Sequence, residues 1–330
     1  MSTKGNILIA SSDHSKEEYV PVAQQLSSAG YNPVIYKVDK VLDSDESFTL
    51  NITNNGELSI FYEGVDISPK NILASWYRKV SDFNIRDKAS DKAALLLLQD
   101  EVDSLHQSIW PLYDESIWLN APENIYKAAR KLGQLLVAKK AGFNIPETIV
   151  TSDWGAIKTR FFEDLSYKNI IVKMMRGVIV KDNTEMALPT TILDSNKVNL
   201  ISERAVSFPG LYQEYINKYR EWRVTVVGEE VFPVSIYTDK DAKDDWRKHQ
   251  MTSSVTFKSE RIDCDISEKC IKFLDDINLK FGAFDFVEKT SGEFVFLECN
   301  ANGQYYALEE RFNLPISSAI TSELIKIAKA

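Results

Sequence analysis

The sequence has 330 residues, 44% of them hydrophobic and 26% charged, which is the composition of a globular protein with room for two or three compact units. No apolar run approaches the ~18 residues of a membrane span, and the first residues lack the long apolar segment of a secretory signal. The net charge of −9 argues against non-specific nucleic-acid binding. The three cysteines lack metal-ligand spacing, so we expect a reducing, cytoplasmic location.

The first 39 residues predict the start of an open α/β unit. Residues 6–10 form an apolar stretch typical of a buried strand, residues 17–29 follow a helical pattern that ends at Gly30, and residues 33–38 predict a second strand. The turn after the first strand contains no glycine. The fingerprint of a dinucleotide site is therefore absent.

Residues 46–110 add a hairpin and a long helix. Residues 46–67 alternate between apolar and polar side chains around an Asn-Asn-Gly turn, which predicts the hairpin. Residues 91–110 carry the apolar stripe of a helix. His106 lies in this helix, and we interpret it as a surface or packing residue.

An aromatic and cationic cluster lies between these two patterns, at the end of a predicted strand. It consists of Trp76, Tyr77, Arg78 and Lys79. Two interpretations stay open at this point. The cluster is either a ligand surface or an arginine that packs along a tryptophan while its charge stays in solvent.

The middle of the chain begins at a boundary near residues 120–122 and places positive charge at two element ends. Residues 125–141 predict one helix, which carries Lys131. Residues 170–173 form an apolar strand that ends on Lys173, whose ammonium needs either a phosphate or a nearby carboxylate. Residues 211–216 predict a short strand with backbone groups available for pairing.

A hairpin around Gly228, Glu229 and Glu230 follows. Strand alternation puts Trp222 and its even-numbered neighbours towards the core, and Glu221, Arg223 and Thr225 on the opposite, polar face. The alternative for Arg223 is an exposed arginine in an ordinary salt bridge. A helix over residues 317–330 is expected to close the chain.

A third hairpin joins residues 284–288 to residues 294–299. If Ser291 and Gly292 form its loop, Thr290 faces Glu293 and Asp285 faces Glu298, and a four-residue loop over 290–293 gives the same pairing of Asp285 with Glu298. Asn300, two residues further on, projects from the same face. Val287 and Phe296 are expected to be apolar neighbours on that face.

Two facing carboxylates repel each other and need compensation. Lys289 lies at the turn end, away from Asp285, so a divalent cation is the better candidate. Two carboxylates and one amide oxygen form a ligand set that suits Mg²⁺. The alternative is a solvated polar edge, and the hairpin alone does not decide between the two.

The chain contains neither a Walker A motif nor the His-Arg-Asp motif of kinases. At the residues above it resembles the ATP-grasp superfamily, most specifically over residues 120–304. The resemblance implies an α/β fold, α+β in its C-terminal half, with an N-terminal open α/β domain (1–120), a central domain that binds ATP and peptide (121–210) and a C-terminal metal-binding domain (211–330). It also implies ATP and Mg²⁺ as cofactors, with the nucleotide at Lys131, Lys173, Gln213, Glu214, Tyr215, Ile216 and Glu221, and the metal at Asp285, Glu298 and Asn300.

Within the superfamily, the segments WYRK, KLGQLLVAKKAGFNIPETIVTSD, QEYI, EWRVTVVG and NANGQ resemble the microviridin-type graspetide synthetases. These ligases macrocyclise ribosomal precursor peptides through ester or amide bonds. The resemblance implies a precursor peptide with leader and core as partner, leader binding within residues 175–210, and a homodimer. Two departures are Gly177 as the only glycine in the predicted phosphate loop and Tyr305 where this group often has tryptophan.

The implied reaction activates an Asp or Glu side chain of the peptide as an acyl phosphate, with Arg223 stabilising the charge that develops. A Ser or Thr hydroxyl or a Lys amine of the same peptide then displaces phosphate. Two alternatives stay open. One is a ligase that adds an amino acid to a protein or peptide, and the other is a non-catalytic ATP-binding regulatory module.

Overall fold

The computed structural model describes residues 3–41, 46–78, 91–175, 178–181, 184–187, 190–202, 209–239 and 254–330. Lys79 and Gly177, which the sequence analysis named, lie outside these ranges, as do parts of the predicted leader-binding segment 175–210. None of the helices within the ranges is long and apolar enough to cross a membrane.

The chain opens with a parallel four-stranded sheet, as its strand-helix-strand pattern predicts. The sheet order is β2-β1-β6-β7, and helix α1 connects its first two strands. Even-numbered Leu8 and odd-numbered Ile7 in β1 belong to different apolar clusters, so both faces of this sheet are covered. The bounds are β1 (Asn6–Ser11), α1 (Lys16–Ser28), β2 (Asn32–Lys37), β6 (Ile72–Tyr77) and β7 (Trp118–Leu119).

The predicted hairpin and the long helix cover one face of this parallel sheet. The hairpin strands pair antiparallel, with Gly56 at φ +81° in the loop between them. His106 is buried in the helix and hydrogen-bonded to the Tyr36 hydroxyl at 2.9 Å, so it is a packing residue. The elements are β3 (Phe48–Ile52), β4 (Leu58–Tyr62), β5 (Val65–Asp66) and α2 (Lys92–Ile109).

The single helix predicted over residues 125–141 is wrong, because the structure has two helices there, α3 (Pro122–Ala128) and α4 (Lys131–Ala141). Arg130 between them is extended, at φ −80° and ψ 100°. In a continuous helix the carbonyl of Ala128 would accept from the backbone four residues on. Here the Gln134 side chain donates to it instead, which satisfies the interrupted helix end.

The central part of the chain is an antiparallel sheet of order β12-β9-β13-β8 with a separate hairpin, β10-β11. Its core gathers Phe161, Ile170 and Tyr212. A division at residue 210 would assign β13 to the last domain, yet β13 pairs within this sheet. The three-domain division otherwise stays a prediction. The elements are β8 (Thr148–Thr151), α5 (Trp154–Ile157), β9 (Asn169–Lys173), β10 (Val178–Lys181), β11 (Thr184–Ala187), β12 (Thr191–Asp194), α6 (Ser195–Ser202) and β13 (Gly210–Glu214).

The last part is an antiparallel sheet of order β16-β15-β14-β17-β18. Trp222, Phe284 and Phe296 lie in one apolar cluster with residues of α4 and α7, so these helices cover one face. Helix α9 packs in the cluster that also holds α1 and β1 of the parallel sheet. The elements are β14 (Lys218–Val227), β15 (Glu230–Thr238), β16 (Val255–Ser259), α7 (Cys264–Asp276), β17 (Phe281–Lys289), β18 (Phe294–Asn300), α8 (Tyr306–Phe312) and α9 (Ile316–Ile327).

Candidate active site

One face of the C-terminal sheet carries most of the polar residues that the sequence singled out. Because Trp222 in β14 points into the core, Arg223 projects from the opposite side, as alternation predicts. The register then places Arg223 across from Asp285 in β17, and Asp285 across from Glu298 in β18. We call this surface the polar face, and its members are Lys218, Glu221, Arg223, Thr225, Asp285, Glu298 and Asn300.

Both predicted loop lengths of the β17–β18 hairpin, two and four residues, are wrong. The loop holds three residues, 290–292, because the Lys289 N–H donates to the Glu293 carbonyl at 2.9 Å. Gly292 adopts φ +84°, the left-handed conformation that closes a three-residue loop. The predicted pairing of Thr290 with Glu293 is therefore absent, and the register near the turn is offset by one residue.

A β-bulge in β18 restores the register before it reaches the site. Phe286 pairs with Phe296, but Asp285 pairs with Glu298, so Leu297 is the extra residue. The predicted pair of carboxylates is thus confirmed, although the loop from which it was derived is not. The same bulge corrects the expected place of Phe296, which is fully buried in the core on the far side of the sheet.

An arginine compensates the charge of Asp285 directly. Nη1 of Arg223 lies 2.9 Å from Oδ1 of Asp285, and the two side chains are only 14% and 8% exposed. Nη2 of Arg223 also donates to the Gln304 carbonyl at 3.4 Å. Lys289, the cation that the sequence places nearest to the pair, is engaged with Glu293 at the turn. The ion pair of Arg223 with Asp285 was not predicted. A guanidinium is therefore already held beside the two carboxylates.

The two predicted phosphate lysines lie close together at one end of β9. Lys173 is the last residue of β9, and the Lys131 ammonium donates to the carbonyl of the next residue, Met174, at 3.3 Å. Lys131 is also the first residue of α4, so its charge adds to the positive end of that helix. The arrangement suits an anion at this place.

The segment predicted to bind the nucleotide, Gln213 to Ile216, is partly used by the fold. Gln213 is buried between β8 and β9, and its side chain donates to Thr148 Oγ1 at 3.0 Å. Its assignment to the nucleotide therefore has no geometric support. The N–H groups of Glu214 and Tyr215 donate to the carbonyls of Glu147 and Asn169, at 3.1 and 3.3 Å.

Ile216 ends this short segment differently. Its N–H makes no backbone hydrogen bond to the part of the chain that the structure describes, and the residue is half-buried. The segment from Glu214 to Ile216 therefore offers one unengaged donor directly after β13.

Lys218 is a polar-face residue that the sequence analysis missed. Residues 218 and 221 would normally project to opposite sides of a strand. The register shifts at Tyr219, which turns Lys218 to the side of Glu221, and the ammonium lies 2.5 Å from that carboxylate. Both side chains are about nine-tenths buried. A bulge of this kind leaves no mark in the apolar pattern, so the sequence gives no signal for it.

Both interpretations of the aromatic and cationic cluster are wrong for its three described residues, Trp76, Tyr77 and Arg78, which are all buried. Arg78 is 1% exposed, so it is neither a ligand surface nor a snorkelling arginine. Its guanidinium forms a two-pronged ion pair with Glu18 in α1, with both N–O distances at 2.7 Å. It lies over the ring of Tyr305, not over Trp76.

Strand β18 is held from outside the sheet by α4. It is an edge strand, yet the Gln134 side chain donates to the Cys299 carbonyl and accepts from the Cys299 N–H, both at 2.8 Å. The two predicted metal ligands, Glu298 and Asn300, flank this residue. The helix that begins at Lys131 therefore also fixes the strand that carries the oxygen ligands.

Cys299, which lies between the predicted ligands Glu298 and Asn300 but belongs to the core cluster, is not suited to covalent catalysis. The Cys299 thiol is buried, and burial raises its pKa well above the ordinary range, which keeps it protonated. Within the described residues there is also no group of three or more His, Cys, Asp and Glu side chains that would hold a metal alone. Two carboxylates and the Asn300 amide fit a hard cation whose remaining positions are filled by phosphate oxygens and water.

No protein-family model and no curated protein sequence matches this chain. Among solved structures, it is similar to a RiPP-associated ATP-grasp ligase from Chryseobacterium gregarium in complex with ADP and a leader and core peptide. The two chains are 24% identical over 99% of this chain and 97% of that one, with a TM-score of 0.84.

Two further solved structures are similar over the full length. Macrocyclase MdnC from Microcystis aeruginosa MRC, bound with precursor peptide MdnA, is 21% identical over 97% of this chain and 99% of that one, with a TM-score of 0.79. The ATP-grasp ligase PsnB, complexed with a phosphomimetic variant of a minimal precursor, Mg and ADP, is 19% identical over 98% and 99%, with a TM-score of 0.74. The chain therefore has the fold of the ATP-grasp ligases, which confirms the predicted fold.

Proposed function

We propose that this chain is an ATP- and Mg²⁺-dependent ligase that macrocyclises a ribosomally made precursor peptide. The observation that carries the proposal is the polar face, where Arg223, Asp285 and Glu298 meet across three neighbouring strands. The fold supports it, because full-length structural neighbours were solved with ADP and with leader, core or precursor peptides.

Adenine is assigned to the segment that follows β13. The edge of adenine that pairs in nucleic acids presents an N–H donor beside a ring-nitrogen acceptor. A backbone carbonyl at Glu214 and the unengaged N–H of Ile216 match that pattern. Glu221 lies between this segment and the carboxylate pair, so we assign it to a ribose hydroxyl.

The phosphates are assigned to the space between Lys131, Lys173 and the carboxylate pair. The lysines supply positive charge at the end of β9, and Gln134 ties α4, the helix that begins at Lys131, to β18. Asp285, Glu298 and Asn300 are the residues that would hold Mg²⁺. Bound there, the ion would neutralise charge on the triphosphate.

The reaction needs two displacements and no protein nucleophile. A side-chain carboxylate of the peptide attacks the γ-phosphorus of ATP, the bond from that phosphorus to the β,γ-bridging oxygen breaks, and ADP leaves as the acyl phosphate forms. A Ser or Thr hydroxyl or a Lys amine of the same peptide then attacks the acyl carbon, and phosphate leaves with the proton of the nucleophile. Arg223 is placed to stabilise the oxyanion of this second step, since its fork is held by Asp285 and the Gln304 carbonyl.

We further propose a cytoplasmic enzyme with three domains that acts as a homodimer and does not bind nucleic acid. Three free cysteines, two of them buried, support a reducing compartment. The net charge of −9 supports a peptide rather than a nucleic acid as the partner.

The test is the mass of the peptide product. The expected precursor is a small peptide encoded beside the gene, with repeated Thr or Ser and Asp or Glu in its C-terminal part. A peptide that meets this description is incubated with the protein, ATP and Mg²⁺. Macrocyclisation makes the product lighter by one water for each bond. A product heavier by one residue supports the rival ligase that adds an amino acid, and absence of ATP turnover supports a non-catalytic binding module.

Three isosteric variants make this test specific to the site. Asp285→Asn and Glu298→Gln each remove one charge from the pair and are expected to abolish dehydration while the fold survives. Glu293→Gln removes a carboxylate of the same hairpin that is engaged with Lys289 at the turn, and activity should be retained. Full dehydration by either site variant would contradict the metal assignment.

A further inference from the structure

The loop that follows β18, residues 301–305, lies against the polar face. A Cβ added to Gly303 would lie 2.5 Å from the Ala283 Cβ and 3.1 Å from Nη2 of Arg223, so only glycine allows this approach. The Gly303 N–H donates to the Asn300 carbonyl at 3.1 Å, which closes a tight turn directly after the last predicted metal ligand. The conformation of this loop therefore sets where the Asn300 side chain points.

The parallel sheet reaches the same loop from the other side. Nη1 of Arg78 donates to Oδ1 of Asn302 at 2.9 Å, while its other nitrogens are held by Glu18. The guanidinium carbon lies 5.1 Å from the ring centre of Tyr305, and the Tyr305 hydroxyl donates to the Glu18 carbonyl at 3.1 Å. Arg78 and Glu18 thus fix both the middle and the end of the loop.

The contact continues to the amide of Asn300. The backbone N–H of Asn302 donates to Oδ1 of Asn300 at 3.0 Å. This bond fixes the orientation of the Asn300 amide, with its oxygen towards the N–H of Asn302. One lone pair of that oxygen accepts the bond, and the second is left for a metal ion. An unbroken series of contacts therefore runs from Glu18 through Arg78 and Asn302 to the side chain of Asn300.

We propose that Arg78, held by Glu18, is a positioning residue for the Asn300 oxygen and so sets the affinity of the site for Mg²⁺. The inference rests on the proposed magnesium site. The parallel sheet supplies none of the predicted metal ligands, yet on this proposal its residue Arg78 orients one of them, Asn300. Outer partners of this kind fix ligand direction, and their loss costs on the order of 10- to 100-fold in metal affinity.

Packing between domains does not by itself explain why a charged side chain, Arg78, is buried beside this loop. Removing a guanidinium and a carboxylate from water is costly, and apolar side chains of similar size pack a domain boundary at least as well. Phe281 and Tyr305 already supply apolar contact around Arg78. What the arginine adds is a directed N–H bond to Asn302.

The test measures Mg²⁺ dependence and not turnover. In calorimetry with the full-length protein, ADP binding is followed at increasing Mg²⁺ and again in EDTA. Asn302→Ala removes the bond to Arg78 and leaves the pair of Arg78 with Glu18 in place. We expect the Mg²⁺ concentration for half-maximal enhancement of ADP binding to rise about 10-fold, with ADP affinity in EDTA unchanged. Arg78→Lys should show the same shift.

Arg220→Lys is the matched control. Arg220 is also a largely buried arginine, paired with Glu288 and Glu260, and it lies on the opposite side of β14 from Arg223. Its loss should lower stability without moving the Mg²⁺ dependence. An unchanged Mg²⁺ dependence in Asn302→Ala, or an equal shift in Arg220→Lys, overturns the inference. A wild-type protein whose ADP binding ignores Mg²⁺ overturns the proposed function itself.

Discussion

Replacing Arg223 by glutamine is expected to strengthen Mg²⁺ binding while it abolishes turnover. The guanidinium is 2.9 Å from Asp285, so a cation held by that carboxylate lies in its repulsive field. At a separation of about 5 Å and the dielectric of water, a single charge and a divalent ion repel by about 1.7 kcal/mol. Loss of the arginine should therefore raise the affinity of the site for Mg²⁺ by roughly tenfold. A dielectric lower than that of water near the sheet would make this gain in affinity larger.

Turnover should fall in the same variant, because the charge that stabilises the oxyanion has been removed. Removal of one such donor typically costs on the order of 100-fold or more in rate. Arg223→Lys separates the two effects, since it keeps the positive charge and loses the two-pronged geometry. We expect wild-type Mg²⁺ affinity and reduced turnover in the lysine variant.

The assay is a calorimetric titration of Mg²⁺ into protein saturated with ADP, paired with the rate of peptide dehydration. An Arg223→Gln protein that binds Mg²⁺ no more tightly than wild type would refute the proximity of cation and guanidinium. Equal tightening in Arg223→Lys would show that the effect is steric and not electrostatic.

Three further outcomes are expected. Lys173→Ala should weaken ATP binding by about tenfold, and an unchanged affinity in calorimetry would count against the phosphate assignment. Gln134→Met leaves the Ala128 carbonyl and the carbonyl and N–H of Cys299 unpaired, at a cost of about 3 kcal/mol. Hydrogen exchange at the Cys299 amide should therefore accelerate by roughly 100-fold, and an unchanged exchange rate would contradict the role of Gln134. Burial lowers the pKa of His106 to about 4, whereas the imidazole of an unfolded chain has a pKa of about 6.5. Between these two pKa values the unfolded chain binds more protons than the folded one, so stability falls as the pH is lowered. The free energy of unfolding, measured with urea, should fall by about 2 kcal/mol more in wild type than in His106→Gln between pH 7 and pH 5. An equal fall in both proteins would refute the lowered pKa of His106.

Local alternation was enough to predict the polar face. Arg223, Asp285 and Asn300 project to one side because each lies in a strand whose intervening residues are apolar, and that pattern is visible in the sequence. The parallel sheet at the start of the chain follows from the same kind of local evidence. Periodicity identifies which face a side chain takes, and it does so without knowledge of the partner strand.

Register is the part that alternation does not supply. The loop of the last hairpin holds three residues instead of the predicted two or four, and the bulge at Leu297 compensates for it, so two departures cancelled at Asp285 and Glu298. The shift at Tyr219 had no such compensation, and Lys218 was missed. A bulge is set by pairing across strands, and its energy is not encoded in the residues of one strand.

The helix break before Lys131 and the role of Arg78 depend on contacts between distant parts of the chain. A pattern of apolar residues predicts one helix across residue 130, whereas the Gln134 side chain, which bonds both Ala128 and Cys299, stabilises the interruption. In the same way, nothing near Arg78 in the sequence points to Asn302.

These distant contacts have a common physical cause in the place of β18. An edge strand has free backbone groups along one side and no neighbour to hold its side chains in register. The predicted ligands Glu298 and Asn300 lie in this edge strand, so the sheet alone fixes them through β17 only. Gln134 from α4 and Arg78 from the parallel sheet supply the missing constraints, one at the backbone of Cys299 and one at the loop beyond Asn300. A site of this design is recognisable from the spacing of its ligands, whereas the residues that set its affinity are scattered through the whole chain.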